Sequence, residues 1–189
     1  MNEQIQMIEK ALAATRARYV DSSPYFILWG CLGLCGVIVQ YFVLNTGKAI
    51  LFSWLFISLF GVVTQLVLSR RGGKDSRGST TLQEASIGLC WGLLGVSMLF
   101  IAFVAPATRL IDYSAIQPLL MMQIWIGSLF TGLTLRFTPL VVLANIWLVA
   151  IVASLLFPAH AVLCFGFALL VGYLIPALIM RRQAPNANE

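Results

Sequence analysis

Charge is what this sequence has least of. Asp, Glu, Lys and Arg make up 10% of its 189 residues, while 60% are hydrophobic. Soluble domains carry about 25% charged residues. So small a supply cannot cover a water-facing surface, and the implied solvent is lipid. The same hydrophobicity excludes a disordered chain.

The scarce charges are bunched, and the apolar runs between them hold no Asp, Glu, Lys or Arg. That pattern argues against several chemistries. Ion-coupled transport and proton pumping rest on intramembrane carboxylates, histidines or paired bases. Intramembrane proteolysis needs a Ser/His pair, two Asp, or a zinc motif such as H-E-x-x-H. Haem needs well-placed histidines, and the single His160 sits at the edge of a run. No nucleotide-binding motif is present. The expectation is a protein that is not an enzyme, with no catalytic residue, no cofactor and no metal.

Cysteine is sparse too: Cys31, Cys35, Cys90 and Cys164, with no C-x-x-C. A thiolate metal site would need deprotonated ligands in hydrocarbon. All four read as small packing thiols. A bond between Cys31 and Cys35, one turn apart on one helix, would constrain no tertiary structure.

What is present in quantity is the long apolar run. Six occur, at about 24–44, 49–69, 85–105, 115–135, 138–157 and 160–180. Each is near the ~20 residues that cross ~30 Å of hydrocarbon at ~1.5 Å per residue. Helices alone satisfy the backbone there, since barrel strands would alternate polar and apolar residues. The first run follows a charged segment, so it reads as a span and not as a cleavable leader. The fold expected is all-α: a six-transmembrane-helix bundle over 23–181. A cytoplasmic amphipathic helix at 1–22 precedes it and a short tail at 182–189 follows.

The amphipathic segment has Ile5, Ile8, Leu12 and Tyr19 near helical spacing, with charged residues over most of the remainder. Those four form a candidate surface for a protein partner. Asp21-Ser22-Ser23-Pro24 then punctuates the chain, with a capping serine and a first-turn proline.

The Lys and Arg counts set orientation. Lys10, Arg16, Arg18, Arg70, Arg71, Lys74, Arg77, Arg136, Arg181 and Arg182 would share one side, leaving Lys48 and Arg109 on the other. Both termini are therefore expected in the cytoplasm. Topology accounts for the net charge of +5, and no recognition element accompanies the bases, so nucleic acid is not an expected partner. Membrane lipid is, with a cytoplasmic protein or a second copy of the chain as further candidates.

A weak internal repeat runs through the spans. Trp29-Gly30-Cys31-Leu32-Gly33 and Trp91-Gly92-Leu93-Leu94-Gly95 both read W-G-x-L-G, and Ser-Leu-Phe follows Trp54 and Trp125. Duplication of a two-helix hairpin, giving three hairpins, would produce equivalent helices pointing the same way. Chance similarity in so restricted a composition would look alike. The small residues Gly30, Gly33, Gly36, Gly88, Gly92, Ser128 and Gly132 suit close helix packing or a groove. Trp29, Gly30, Trp91, Gly92, Gln123 and Asn145 are the candidates for lining a cavity. The competing reading is that glycines pack against aromatics and the amides bond between helices. Arg109 and Asp112 stand three apart and would form a surface pair if that segment is helical.

The stretch Glu9 to Gly30, E-K-A-x(6)-R-Y-V-D-S-S-P-Y-F-I-L-W-G, resembles the start of small uncharacterised six-span bacterial inner-membrane proteins, in which a short charged helix runs into the first span. The layout has a looser likeness to the acid-resistance membrane family. The resemblance implies a bacterial inner-membrane location and supplies no site residues. On these grounds the expected role is a non-enzymatic regulatory or accessory subunit acting through a cytoplasmic partner. The alternative is a small permease or channel for neutral or apolar solutes.

Overall fold

A computed structural model describes residues 23–42, 47–72 and 82–182. Within them the chain is helical, with no strand. Helix α1 is Ser23–Phe42 and α2 is Gly47–Gly72. Helix α3 begins as Leu82–Leu99, widens into a π turn at Phe100–Val104 and closes with Ala105–Ala107. Helix α4 is Tyr113–Thr134, α5 is Thr138–Leu156 and α6 is Pro158–Arg182. Five of these are long and apolar enough to cross a membrane, and α2 contains a shorter apolar stretch, Phe52–Leu68. The helices are those of a membrane-embedded chain. The expected partner surface of Ile5, Ile8, Leu12 and Tyr19 and the tail after Arg182 lie outside the described residues.

Proline explains the two π turns. Its ring clashes with the carbonyl four residues back and it lacks an N–H, so the preceding turn opens. Pro106 follows the turn Phe100–Val104 by two residues, and Pro176 follows Leu170–Leu174 by the same interval. Helix α5 breaks for another reason. Asn145 Nδ2 donates to the Val141 carbonyl at 2.9 Å. The backbone N–H of Asn145 turns to the Val142 carbonyl at 3.2 Å instead. The side chain has taken the acceptor that helical geometry offered the backbone.

Helix α6 lies at the centre: 44% of its apolar window is buried, against none of that of α3. It runs antiparallel to α1. A Cβ built on Gly30 would meet Leu174, one on Gly33 would meet Leu169, and one on Gly166 would meet Val37. Glycine is what allows these backbones to approach. On its other side α6 takes Trp147 of α5 over Gly172. The buried core draws on α1, α4, α5 and α6, with Phe26, Met121, Leu140, Trp147, Phe165 and Tyr173 among its larger members.

Two expectations change. Cys31 and Cys35 are exposed, because Gly30, Gly33 and Val37 turn the opposite side of α1 toward α6. Arg109 and Asp112 form no ion pair, since Arg109 adopts a left-handed φ of 59° in a turn and breaks the helical spacing.

Candidate functional site

The six residues expected to line a cavity or to pack have different surroundings. Gly30 is closed off by Leu174 and Tyr173. Gly92 is exposed, and a Cβ on it would meet nothing within 4 Å; the same holds for Gly88 and Gly95. This glycine face of α3 looks outward and does not pack within the bundle. Asn145 is exposed and bonds within its own helix. Gln123 is half-buried. Trp29 and Trp91 do face inward, each onto the helix that follows.

The Trp29 ring lies on Gly61 of α2, where a Cβ would stand 2.6 Å from Cη2. Its indole Nε1 donates to Gln65 Oε1 at 2.7 Å. Trp54 of α2 does the same in return. It lies on Gly36 of α1, 2.7 Å from a Cβ built there, and donates to Gln40 Oε1 at 2.7 Å. Each helix thus supplies a ring, a glycine seat and an amide acceptor. In sequence the pattern is W-x(6)-G-x(3)-Q, read once at Trp29-Gly36-Gln40 and again at Trp54-Gly61-Gln65. The two copies face each other antiparallel, a local two-fold relation. The seven-residue step keeps ring and glycine on one helix face, and the four-residue step puts the amide one turn beyond. This spacing was in the sequence and is the signal that the W-G-x-L-G comparison missed.

The third and fourth helices repeat half of the arrangement. Trp91 lies on Gly127, with a Cβ there 2.8 Å from Cη2, and donates to Thr131 Oγ1 at 2.9 Å. Thr131 also donates to the Gly127 carbonyl at 2.8 Å. Around Trp91 gather Phe26, at 6.0 Å between centroids, and Tyr173, at 6.2 Å. A second aromatic group joins Phe165 to Trp54 at 6.1 Å and to Trp147 at 5.8 Å. Edge-to-face pairs of this kind are worth about 0.5–1.5 kcal/mol beyond their burial.

Among the described residues three buried polar atoms have no partner: Trp125 Nε1, Ser128 Oγ and Trp147 Nε1. They belong to neighbouring helices. Gly132 of α4 seats Leu140 and Val141 of α5. Ser128 and Trp125 lie one and two turns back from Gly132, so they share its helix face. Hollows among the described residues include the following two. One lies along the outer side of α5, by Val149, Val152 and Leu156. The other is at the end of the bundle where α1 starts and α6 stops. Among the described residues no group of three or more His, Cys, Asp or Glu is placed to hold a metal ion.

Compared with protein-family models, with curated proteins and with solved structures, the chain matches none.

Proposed function

We propose that this chain is a non-enzymatic accessory or regulatory membrane subunit that acts through a cytoplasmic protein partner. It would cross the bacterial inner membrane six times, with both ends in the cytoplasm. The observation that carries the reading is where the polar side chains of the helices are engaged. Trp29, Gln65, Trp54, Gln40, Trp91 and Thr131 are paired helix to helix. Groups spent on holding helices together are not offered to a solute, which leaves the ends of the bundle as its working surface. The concentration of Lys and Arg at one end supports the orientation. The 26 residues of α2 span about 39 Å at ~1.5 Å each, enough for a sixth crossing. The recurring seat of an odd-helix Trp on a glycine of the next helix supports three hairpin units.

The test is site-specific crosslinking in native membranes with photoreactive residues at Ile8 and Leu12. A discrete crosslinked protein is expected, lost from the Ile8 probe when Ile5, Leu12 and Tyr19 become Ser while membrane insertion is kept. Lipid as the sole crosslinked product overturns the proposal. Cysteines placed at Lys48 and Lys74 in a cysteine-free chain test the orientation: only Lys48→Cys should react with an impermeant maleimide from outside.

The unpartnered Trp125 Nε1 and Ser128 Oγ favour a second reading, a pathway for a small neutral solute between α4 and α5. Donors without acceptors in lipid cost several kcal/mol, and a passing carbonyl or hydroxyl would satisfy them. Proteoliposome swelling with urea or glycerol tests it; rates equal to protein-free vesicles reject it.

A further inference from the structure

At the end of the bundle where α1 begins and α6 ends, a groove of about 390 Å³ is lined by Ser23, Pro24, Ile27, Leu28 and Arg181. The register of the two helices explains why these residues meet. Gly33 lies against Leu169 and Gly30 against Leu174, so each step back along α1 is a step forward along α6. The first turn of α1 therefore reaches the last turn of α6. The walls are hydrocarbon: the Pro24 ring and the half-buried Ile27 and Leu28. Among the described residues the rim carries one cation, Arg181, which is exposed and pairs with no carboxylate. Arg182 follows it but does not line the groove. Both edges stand where apolar helices give way to polar chain, the depth of lipid headgroups.

We propose that this groove holds one anionic glycerophospholipid, its phosphate on the Arg181 guanidinium and the start of an acyl chain along Ile27 and Leu28. The charge selects an anionic head, and Arg presents a planar fork that matches phosphate oxygens. The apolar wall selects a tail, because inorganic phosphate would leave Pro24, Ile27 and Leu28 uncovered. The site joins the first helix to the last, so an occupied groove would tie the two ends of the membrane domain together. This inference does not depend on the cytoplasmic partner proposed above.

Native mass spectrometry of the full chain, released from vesicles of equal phosphatidylglycerol and phosphatidylcholine, tests it. The wild-type chain is expected to retain one phosphatidylglycerol in preference to phosphatidylcholine. Arg181→Gln should lower that preference about fivefold, the equivalent of about 1 kcal/mol per base at a membrane surface. Arg181→Lys should keep part of it, and Arg182→Gln should stay within about twofold of wild type. An equal loss in Arg181→Gln and Arg182→Gln would mean diffuse surface charge and overturn the site. So would an unchanged Arg181→Gln variant, a wild type without preference, or displacement of the lipid by millimolar inorganic phosphate. All variants lie at an exposed helix end, and their unfolding midpoints, measured in parallel, should match wild type.

Discussion

The paired rings of α1 and α2 make a quantitative claim about coupling. Trp29→Phe keeps a six-membered ring over Gly61 but removes the N–H that meets Gln65 Oε1 at 2.7 Å. Gln65→Leu keeps the volume and removes the acceptor. Either change alone strands a polar group between the helices. Making both strands neither. The coupling energy of the Trp29→Phe/Gln65→Leu cycle should therefore fall at about 0.6–1.7 kcal/mol, the range found for interhelical hydrogen bonds in lipid. The local two-fold relation then adds a constraint. The cycle Trp54→Phe/Gln40→Leu breaks an equivalent bond, also 2.7 Å, so its coupling should agree with the first to within about 0.5 kcal/mol. The mixed cycle Trp29→Phe/Gln40→Leu joins residues from different bonds and should be additive to about 0.3–0.5 kcal/mol. The assay is reversible unfolding in bicelles, by steric trapping or by titration with a denaturing detergent. Cognate couplings no larger than the mixed one would refute the arrangement.

Other outcomes follow from the same packing. Ser128 and Thr131 are both fully buried on α4, but only Thr131 has partners; Thr131→Val should cost about 1–2 kcal/mol and Ser128→Ala should be neutral or stabilising in the same unfolding assay. Gly36→Ala and Gly61→Ala drive a Cβ into an indole ring and should each cost about 1–3 kcal/mol. Gly88→Ala, Gly92→Ala and Gly95→Ala meet open space and should each gain about 0.5–1 kcal/mol from helix propensity; a loss at all three would mean that a second copy of the chain covers this face. Cys31 and Cys35 are exposed on the side of α1 away from α6, so in membranes a lipid-soluble maleimide should label them ahead of Cys164, and labelling of Cys164 first would put that face in the interior.

The helical class and the presence of several helices long and apolar enough to cross a membrane were legible because they depend on run length and on the absence of charge, which lipid enforces residue by residue. Pro106 and Pro176 were visible too, but the π turns before them were not. A proline says that a helical bond is lost, and the neighbouring helices decide whether the chain kinks or widens. Which glycines pack was illegible from small-xxx-small spacing alone. Gly36 and Gly92 lie in comparable local sequences, yet one seats an indole and the other faces outward. In lipid both faces of a helix are apolar, so hydropathy cannot mark the inward one. A better marker is a glycine that has a Trp seven residues before it and an amide four residues after it. Asn145 shows the opposite failure. Its amide is a candidate for bonding between helices, yet it bonds the Val141 carbonyl of its own helix, because that acceptor is local and always within reach.

The acceptor position of that spacing, four residues beyond the glycine, also accounts for a group that otherwise has no explanation. In three seats the indole N–H finds an acceptor four residues beyond the glycine: Gln40 after Gly36, Gln65 after Gly61, and Thr131 after Gly127. The fourth seat is Gly172, and four residues beyond it stands Pro176, which has no side-chain acceptor. Trp147, completely buried over Gly172, is left with an unpartnered Nε1. Its ring is also turned: Nε1 and Cδ1 face the glycine, where the other three present Cη2. With nothing to accept the N–H one turn further along, no bond holds the ring in the common orientation. The same proline opens the π turn Leu170–Leu174, so one residue replaces a helix-to-helix bond with a widened helix at the centre of the bundle. Glycine seats hold the outer hairpins closed with a hydrogen bond each. At Gly172 the central helix is held by shape instead, where α5 and α6 pack closely within the buried core.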